Sequence, residues 1–594
     1  MNKRYYSYLT GCLLVILFST GLSIKAKAQI TITGSVTAAD TRENLNGVTV
    51  AIKGTTLGTS TDVNGQYTLK NVNSNATLVF SYLAFANQEV SINGQSVINV
   101  SLAPDSKVLQ NVVVVGYGTQ KKRNVTGAVG SVKFDQDISS RPMVEFGQAL
   151  SGKVAGVQVL AANGRPGSSS TVQIRGIASI SANSSPLIVV DGTPLPSYDL
   201  NLINSADIES IDILKDASSA AIYGSRGGNG VILITTKSGK SGKARIDFSY
   251  TTTLQQTIDR VEMMNAKEYA LASMDAAQNA WIDKGGNPNA PNTLAARGAY
   301  KYMWPEAFNN PDTLINTDFQ DLIFRTAPMQ KFDLSVSGGN EKSNYLISGG
   351  YISQQGIVIN SDYKKYALSI KASSKISDWV EIGGKLGVVY DKSQNPFDRI
   401  VEWAVQYPAI YPVYGNNGYL GDATNTPGLQ NYDNILFRAK NGHPLYQIND
   451  NRPQQGFNSL GNAYAQFDFI PGLRFKSALN FYYNRQDNST YAAVEHNMGP
   501  SYYTEGVLTA NQARTVNYNL QNLLTYDKVV GDHNISALLG YEYLKNDFYN
   551  ATQGRNRFDN DQIQYLSAGQ VISVAGDAAT ETVLISSFAR ASYN

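Results

Sequence analysis

From about residue 244 onward, apolar and polar side chains trade places at nearly every step. In Phe332-Asp333-Leu334-Ser335-Val336-Ser337 the period is two, the repeat of a strand whose two faces meet different surroundings. The same texture predicts strands over 245–253, 331–338, 343–351, 366–372, 380–390, 459–469, 473–483, 515–526, 534–543 and 583–593. They come in pairs, some joined tightly, as at Gly338-Gly339-Asn340-Glu341, and others through long connections. Two connections, about 258–327 and 393–456, are insertions, and 261–269 within the first reads as helix. One face for lipid and one for a polar lumen, with short turns on one side and long loops on the other, is the pattern of a transmembrane antiparallel β-barrel.

Upstream the alternation is shorter and broken by turn residues. Residues 30–36, 48–52, 66–69 and 77–80 predict a small β-sandwich over 29–103, with Asn64-Gly65 at a tight hairpin. A calcium loop at Asp62 and Asn64 is disfavoured, because Tyr67 stands where the loop needs glycine and no Glu closes it. A linker over 104–123 carries Val112-Val113-Val114-Val115-Gly116-Tyr117-Gly118, flanked by Lys121-Lys122-Arg123. This segment is either a buried strand of the sandwich or one that adds itself to a partner's exposed sheet edge.

Residues 124–240 hold short strands at 154–159, 172–176 and 186–192, separated by Gly, Pro, Ser and Asn. The stretch 208–237 organises them. Ile211 and Ile213 alternate with Ser210 and Asp212, and a short helix capped by Asp216 or Ser218 follows, with Gly224 at its left-handed end. Gly227, Gly228 and Gly230 then turn the chain into Val231–Ile234, a β-branched run suited to the centre of a sheet.

Composition agrees with long β-structure. Charged residues are only 16%, and 36 Tyr outnumber 20 Phe, as an aromatic, partly lipid-facing surface requires, although a secreted array of sandwiches shares these features. The first 28 residues read as a signal peptide: a basic Lys3-Arg4, a short apolar run 13–18, and Ala26-Lys27-Ala28 as a small-x-small site cleaved between Ala28 and Gln29. Cys12, the only cysteine, leaves with it, so no disulfide is expected. Four basic residues leave too, so 49 Lys+Arg fall to 45 against 47 Asp+Glu, a net −2 with no footprint for nucleic acid. No run of 18 apolar residues follows the signal. His443, His496 and His533 are scattered, no G-x-S-x-G elbow occurs, and Gly239-Lys240-Ser241 lacks the leading glycine of a phosphate loop; the chain is not expected to be an enzyme, and no cofactor or metal is expected.

On these residues the chain resembles the SusC/RagA family of TonB-dependent outer-membrane transporters. The 58–67 pattern resembles the carboxypeptidase-regulatory-like domain at the N-terminus of such proteins. The motifs at 154–159, 172–176, 186–192 and 208–237 resemble the plug in the family order, and 317–390 the opening barrel strands. The resemblance implies a mainly β fold: signal 1–28, sandwich 29–103, linker with TonB box 104–123, α+β plug 124–240 and partial barrel 241–594. It makes 112–118 the TonB box, and Arg175, Gly176, Asp191, Gly192, Gly224, Arg226, Gly227 and Gly230 plug-motif residues that serve plug folding and contact with the barrel.

The implied partners are TonB with its ExbB/ExbD complex, a SusD-like surface lipoprotein, outer-membrane lipid, and an oligosaccharide or, as in the RagA type, a peptide substrate. The implied place is the outer membrane, with the N-terminal domain in the periplasm. Rival readings are a surface-binding β protein, a signalling receptor, and a non-functional truncation. About ten strands are expected where plugged transporters close with ~22, and the sequence stops inside a strand-like run, so a fragment or truncated product is expected.

Overall fold

The computed structural model describes residues 29–593 apart from 40–42, 56, 83–84, 104–111, 116–117, 122–128, 135–142, 162, 177–183, 196–200, 217–219, 397–398, 417, 419, 422–425, 430–442, 446–449, 494–504 and 532. The signal segment with Ala28, as well as Gly116, Tyr117, Ser218 and His496, therefore lies outside the described residues. The chain divides into two compact units, one comprising Met1–Val113 with Gln120–Arg123 and the other Val114–Thr119 with Asn124–Asn594.

Among the described residues of the first unit the chain forms β1 (Gln29–Ala38), β2 (Thr49–Ile52), β3 (Gly58–Ser60), β4 (Gln66–Asn73), β5 (Thr77–Ser81), β6 (Gln88–Ser91) and β7 (Val100–Leu102). They form two sheets, β4-β1-β7 and β3-β2-β5-β6, over a core that includes Ile32, Val36, Val50, Leu69, Leu78 and Phe80. Tyr67 is buried among them and donates to the Ile98 carbonyl at 2.9 Å; burial pushes its hydroxyl pKa up to about 12. The turn at Asp62–Gly65 forms, with Asp62 Oδ1 accepting from the Asn64 and Gln66 amides, but the expected hairpin does not. β3 and β4 belong to different sheets, so the turn passes the chain from one layer to the other. Alternation fixes which side chains face inward, and it is equally satisfied by strands that pair or that pack face to face. A two-stranded ribbon follows, β8 (Val112–Val115) with β9 (Gly118–Lys121).

The plug contains β10 (Val129–Lys133), β11 (Val157–Ala161), β12 (Ser170–Ile174), β13 (Leu187–Val190), β14 (Thr193–Pro194), β15 (Ile208–Leu214) and β16 (Val231–Thr236). Five of these build a mixed sheet in the order β10-β15-β16-β13-β14, and β11 and β12 make a separate hairpin. β16 is central, antiparallel to β15 and parallel to β13. Val231–Ile234 are all buried, as a strand covered on both faces requires. Ala221–Gly227 is a 3₁₀ run, and Gly224 (φ 59°) lies inside it instead of closing a helix. The run must both leave β15 and return onto it as β16, and a glycine bend in its middle does this in few residues.

The remainder forms one ten-stranded antiparallel sheet: β17 (Gly242–Gln255), β18 (Ala327–Gly339), β19 (Ser343–Gln355), β20 (Asp362–Ser377), β21 (Val380–Gln394), β22 (Pro453–Ile470), β23 (Leu473–Ala492), β24 (Val507–Val530), β25 (His533–Asn556) and β26 (Val571–Tyr593). Each strand pairs with its chain neighbour, so β17 and β26 are the two edges of the sheet. Short turns follow β18, β20, β22 and β24, and all the long connections lie at the opposite rim. Inside the first insertion the helix runs over Ala266–Asp283, not 261–269. Asn265 and Glu268 make a reciprocal capping box that starts it, which leaves 261–264 as an extended lead.

The outer face carries exposed Leu334, Ile347, Leu368, Leu386, Leu479 and Leu539. Across five junctions, Tyr250, Phe332, Tyr351, Tyr366, Tyr390 and Phe457 stand directly opposite one another in register. A second aromatic group, Trp379, Phe467 and Phe475, sits at the short-turn rim. Phe457 and Phe467 lie on one strand, and about ten residues at ~3.3 Å each, tilted ~40°, span ~25 Å, the height of an apolar belt between two aromatic girdles. No helix among the described residues is long and apolar enough to cross a membrane.

Candidate functional site

The inner face of the sheet holds the plug, through apolar packing of Leu460, Tyr482, Met329 and Tyr363 and through three polar contacts. Val190 pairs with Thr193 across a two-residue turn in which Asp191 (φ 48°) and Gly192 (φ 86°) both take positive φ, the geometry for which Asp-Gly is suited. The turn delivers Asp191 to the wall. Its carboxylate accepts from the Thr236 amide at 3.0 Å and the Thr236 hydroxyl at 2.6 Å, and pairs with Lys385 at 2.9 Å and Lys371 at 3.5 Å.

Lys371 on β20 and Lys385 on β21 are register partners. Like charges directly opposite in a sheet destabilise it, and Asp191 is the anion that relieves them. Burial alone would raise the Asp191 pKa, but the two ammonium groups and the two Thr236 hydrogen bonds outweigh it and hold the carboxyl down at about 2.

A second contact has the opposite polarity. Arg226 of the plug donates to Glu542 on β25 at 2.6 Å, and the Glu542 side chain is only 1% exposed. Its other oxygen accepts from Asn519, Asn519 accepts from Asn480 at 3.0 Å, and Asn480 accepts from Asn462 at 2.5 Å and from the Thr193 hydroxyl at 2.8 Å. One row of amides across β22–β25 thus joins the Arg226 contact to the β13–β14 hairpin. Gln521 adds a bond to the Gly192 carbonyl at 3.2 Å. Beside Arg226, Tyr223 is buried, and burial, with Glu542 close by, pushes its hydroxyl well above the ordinary value.

A third contact involves 203–207. Asn204 donates to Asp333 at 2.7 Å, Lys331 to the Ser205 hydroxyl at 2.8 Å, and Lys365 to the Ile203 carbonyl at 3.2 Å. Gly350 makes room for this: a Cβ there would sit 2.3 Å from the Asn204 amide nitrogen. Asp207, buried in the same segment, has its carboxyl pKa raised by that burial, against the hydrogen bond from Ser348.

The structure brings Asp191, Gly192 and Arg226 to the wall. Arg175 does not reach it; with φ 59° beside Gly176 (φ 97°), it forms an ion pair with Asp216 within the plug. Gly230 (φ 85°) packs against Ile174 and the Leu214 carbonyl where a Cβ would collide, and Gly227 passes close to Ala220. Val112–Val115 and Gly118 lie in the β8–β9 ribbon, and Gln29 opens β1. Sequence reasoning missed Lys371, Lys385, Glu542 and the asparagine row. Their signal was parity: each occupies an inward position of a strand whose other face is apolar, where an unexplained charge or amide calls for a partner.

A polar-walled antiparallel sheet with an apolar, aromatic-girdled outer face and a mixed α+β plug held against its inner face defines a plugged outer-membrane β-barrel. A model described as the TonB-dependent receptor plug domain matches residues 121–231, and one described as the CarboxypepD_reg-like domain matches 32–115. A TonB-dependent receptor of Formosa agariphila is 32% identical over 100% of this chain and 56% of its own length. The TonB-dependent receptor SusC of Bacteroides thetaiotaomicron is 29% identical over 99% of this chain and 57% of its own. Among solved structures, the RagAB peptide importer in its open-open state superposes with a TM-score of 0.66 at 25% identity, covering 82% of this chain and 55% of that one. The chain carries the plug domain of a TonB-dependent receptor and is similar over nearly its whole length to SusC- and RagA-type TonB-dependent receptors, which are outer-membrane β-barrel proteins and not enzymes. It spans about half the length of the curated relatives it matches.

Proposed function

We propose that this chain serves TonB-dependent import of large nutrients, oligosaccharides foremost, across the bacterial outer membrane. The observation that carries this reading is the plug's attachment to the wall. Beside apolar packing of Leu460, Tyr482, Met329 and Tyr363, its three polar contacts are ion pairs and hydrogen bonds between side chains and turns, and among the described residues no plug strand pairs with a wall strand, so a directed pull can part plug from wall without unravelling a sheet. In this reading TonB, driven by ExbB/ExbD, pairs with 112–118 on the periplasmic side, a SusD-like lipoprotein covers the long-loop rim, and cargo passes along the amide wall of Asn462, Asn480 and Asn519. Neutral amides both donate and accept, which suits hydroxyl-rich sugars. They also suit peptide backbones, and the likeness to the RagAB peptide importer favours a peptide as the second reading.

The test is deletion of 112–118. Uptake of the cargo should fall to background while membrane insertion, read from heat-modifiable gel migration, stays intact. Uptake that survives the deletion refutes the assignment of this segment as the TonB box.

A further inference from the structure

Between the β13–β14 hairpin and the wall lies a cavity of about 420 Å³ lined by Asp191, Lys371, Lys385, Tyr464, Lys476 and Gln521, among others. Asp191 occupies Lys371 and Lys385. Lys476 is different. Among the described residues its ammonium makes no ion pair and lies 4.2 Å from the centre of the Tyr464 ring.

The other charged groups around it are accounted for. Glu381 accepts a hydrogen bond from the Tyr464 hydroxyl at 2.8 Å, and Arg474 pairs with Asp468 at 2.9 Å. Three lysines therefore face two carboxylates in a space large enough for a small ligand. Its other polar lining, which includes Asn344, Ser373, Asn462 and Gln521, offers amide and hydroxyl donors. A cavity with one surplus positive charge, neutral donors and an aromatic floor under the cation is complementary to a singly substituted oxyanion.

We propose that this cavity binds an oxyanion, the carboxylate or sulfate group of a small acid, on Lys476, next to the plug's own Asp191. Asp191 is then a built-in competitor: it holds two of the three lysines while the plug is seated and leaves one for the ligand. The assignment does not rest on the transport reading, since it concerns the seated plug.

The test is calorimetric titration of sodium sulfate and, separately, sodium glucuronate into the detergent-solubilised full chain at low ionic strength, with sodium chloride as the control. Saturable one-site binding of at least one oxyanion is expected, and the probe that binds more tightly tells whether the site suits sulfate or carboxylate. Lys476→Gln should weaken binding at least tenfold, Lys476→Arg should retain it, and Asp191→Asn should tighten it severalfold by freeing Lys371 and Lys385. If Lys476→Gln does not fold, Ser373→Asp, which adds a negative charge to the lining, should give the same tenfold loss. No saturable binding of either oxyanion by the unmodified chain overturns the proposal, as does binding that the Lys476→Gln or Ser373→Asp change leaves intact.

Discussion

The two ion-paired contacts between plug and wall use the same chemistry in opposite senses. At Asp191 the plug supplies the anion and the wall two cations; at Arg226 the plug supplies the cation and the wall a carboxylate. The surroundings differ more than the charges do. Asp191 takes two hydrogen bonds from Thr236 of its own domain, and its lysines border an open cavity. Glu542 is sealed, its side chain 1% exposed, with Asn519 bonded behind it. The first contact can part with Asp191 still bonded to Thr236 and its lysines beside a cavity, whereas parting the second takes the Arg226 cation away from a sealed carboxylate.

The largest effect is therefore expected from Arg226→Ala. Leaving Glu542 buried without its cation should cost about 3–5 kcal/mol, read as a lowered urea midpoint for plug release, and Glu542→Gln on top of it should recover part of the loss. Equal costs at Arg226 and Asp191 would erase the distinction drawn above.

An acid-sensitive group elsewhere must be separated from both contacts. His443, buried in the long-loop insertion against Phe319 and Tyr407, has its pKa lowered to about 3 by that burial. Its folded pKa lies below the unfolded value, so the unfolded state binds more protons and stability falls as pH drops below about 6.5, by about 2 kcal/mol at pH 5. His443→Phe should flatten that slope in a pH series of thermal melts.

Asp191→Asn should cost about 1–2 kcal/mol, because the lost charge is offset in part by the bonds from Thr236 that an amide oxygen can still accept. The smallest effect is the acid limb of the same residue. With a folded pKa of about 2, below its unfolded value, Asp191 adds stability that is present above about pH 4 and lost as pH falls through 2. At pH 3 the loss is about 1 kcal/mol. Taken as the difference between wild type and Asp191→Asn, it is free of the His443 contribution. A difference that does not change between pH 5 and pH 3 would mean that the lysines do not hold Asp191 in solution.

The wall was legible from the sequence and its attachments were not. All ten expected strands exist, and each is longer than its alternating stretch. β24 runs over Val507–Val530, while alternation is clear only over 515–526. Beyond the lipid belt both faces of a strand meet water, and Thr509, Asn511, Gln512 and Arg514 carry no two-residue rhythm because nothing there imposes one. The plug's central strand was equally clear, since Val231–Ile234 is apolar throughout. The contacts are of another kind. Asp191 meets Lys371 and Lys385, and Arg226 meets Glu542, each across a hundred or more residues of chain, and no local pattern encodes such a pairing. Lys371 and Lys385 set opposite each other on an inward face already demanded an anion; only the fold shows which one.

The amide row also has a direction. A carboxylate can only accept, so Asn519 must turn its NH₂ toward Glu542. That leaves its oxygen for Asn480, whose own oxygen is then fixed for Asn462 and Thr193. Glu542 thus sets the orientation of every amide in the row. Neither Asn519 nor Asn480 can flip without breaking the bonds on both sides, and the hairpin beside Asp191 is held in an alignment dictated two strands away. A loosening at Arg226 is therefore felt at Thr193 as a loss of polarity in the row, so the two contacts behave as one cooperative catch.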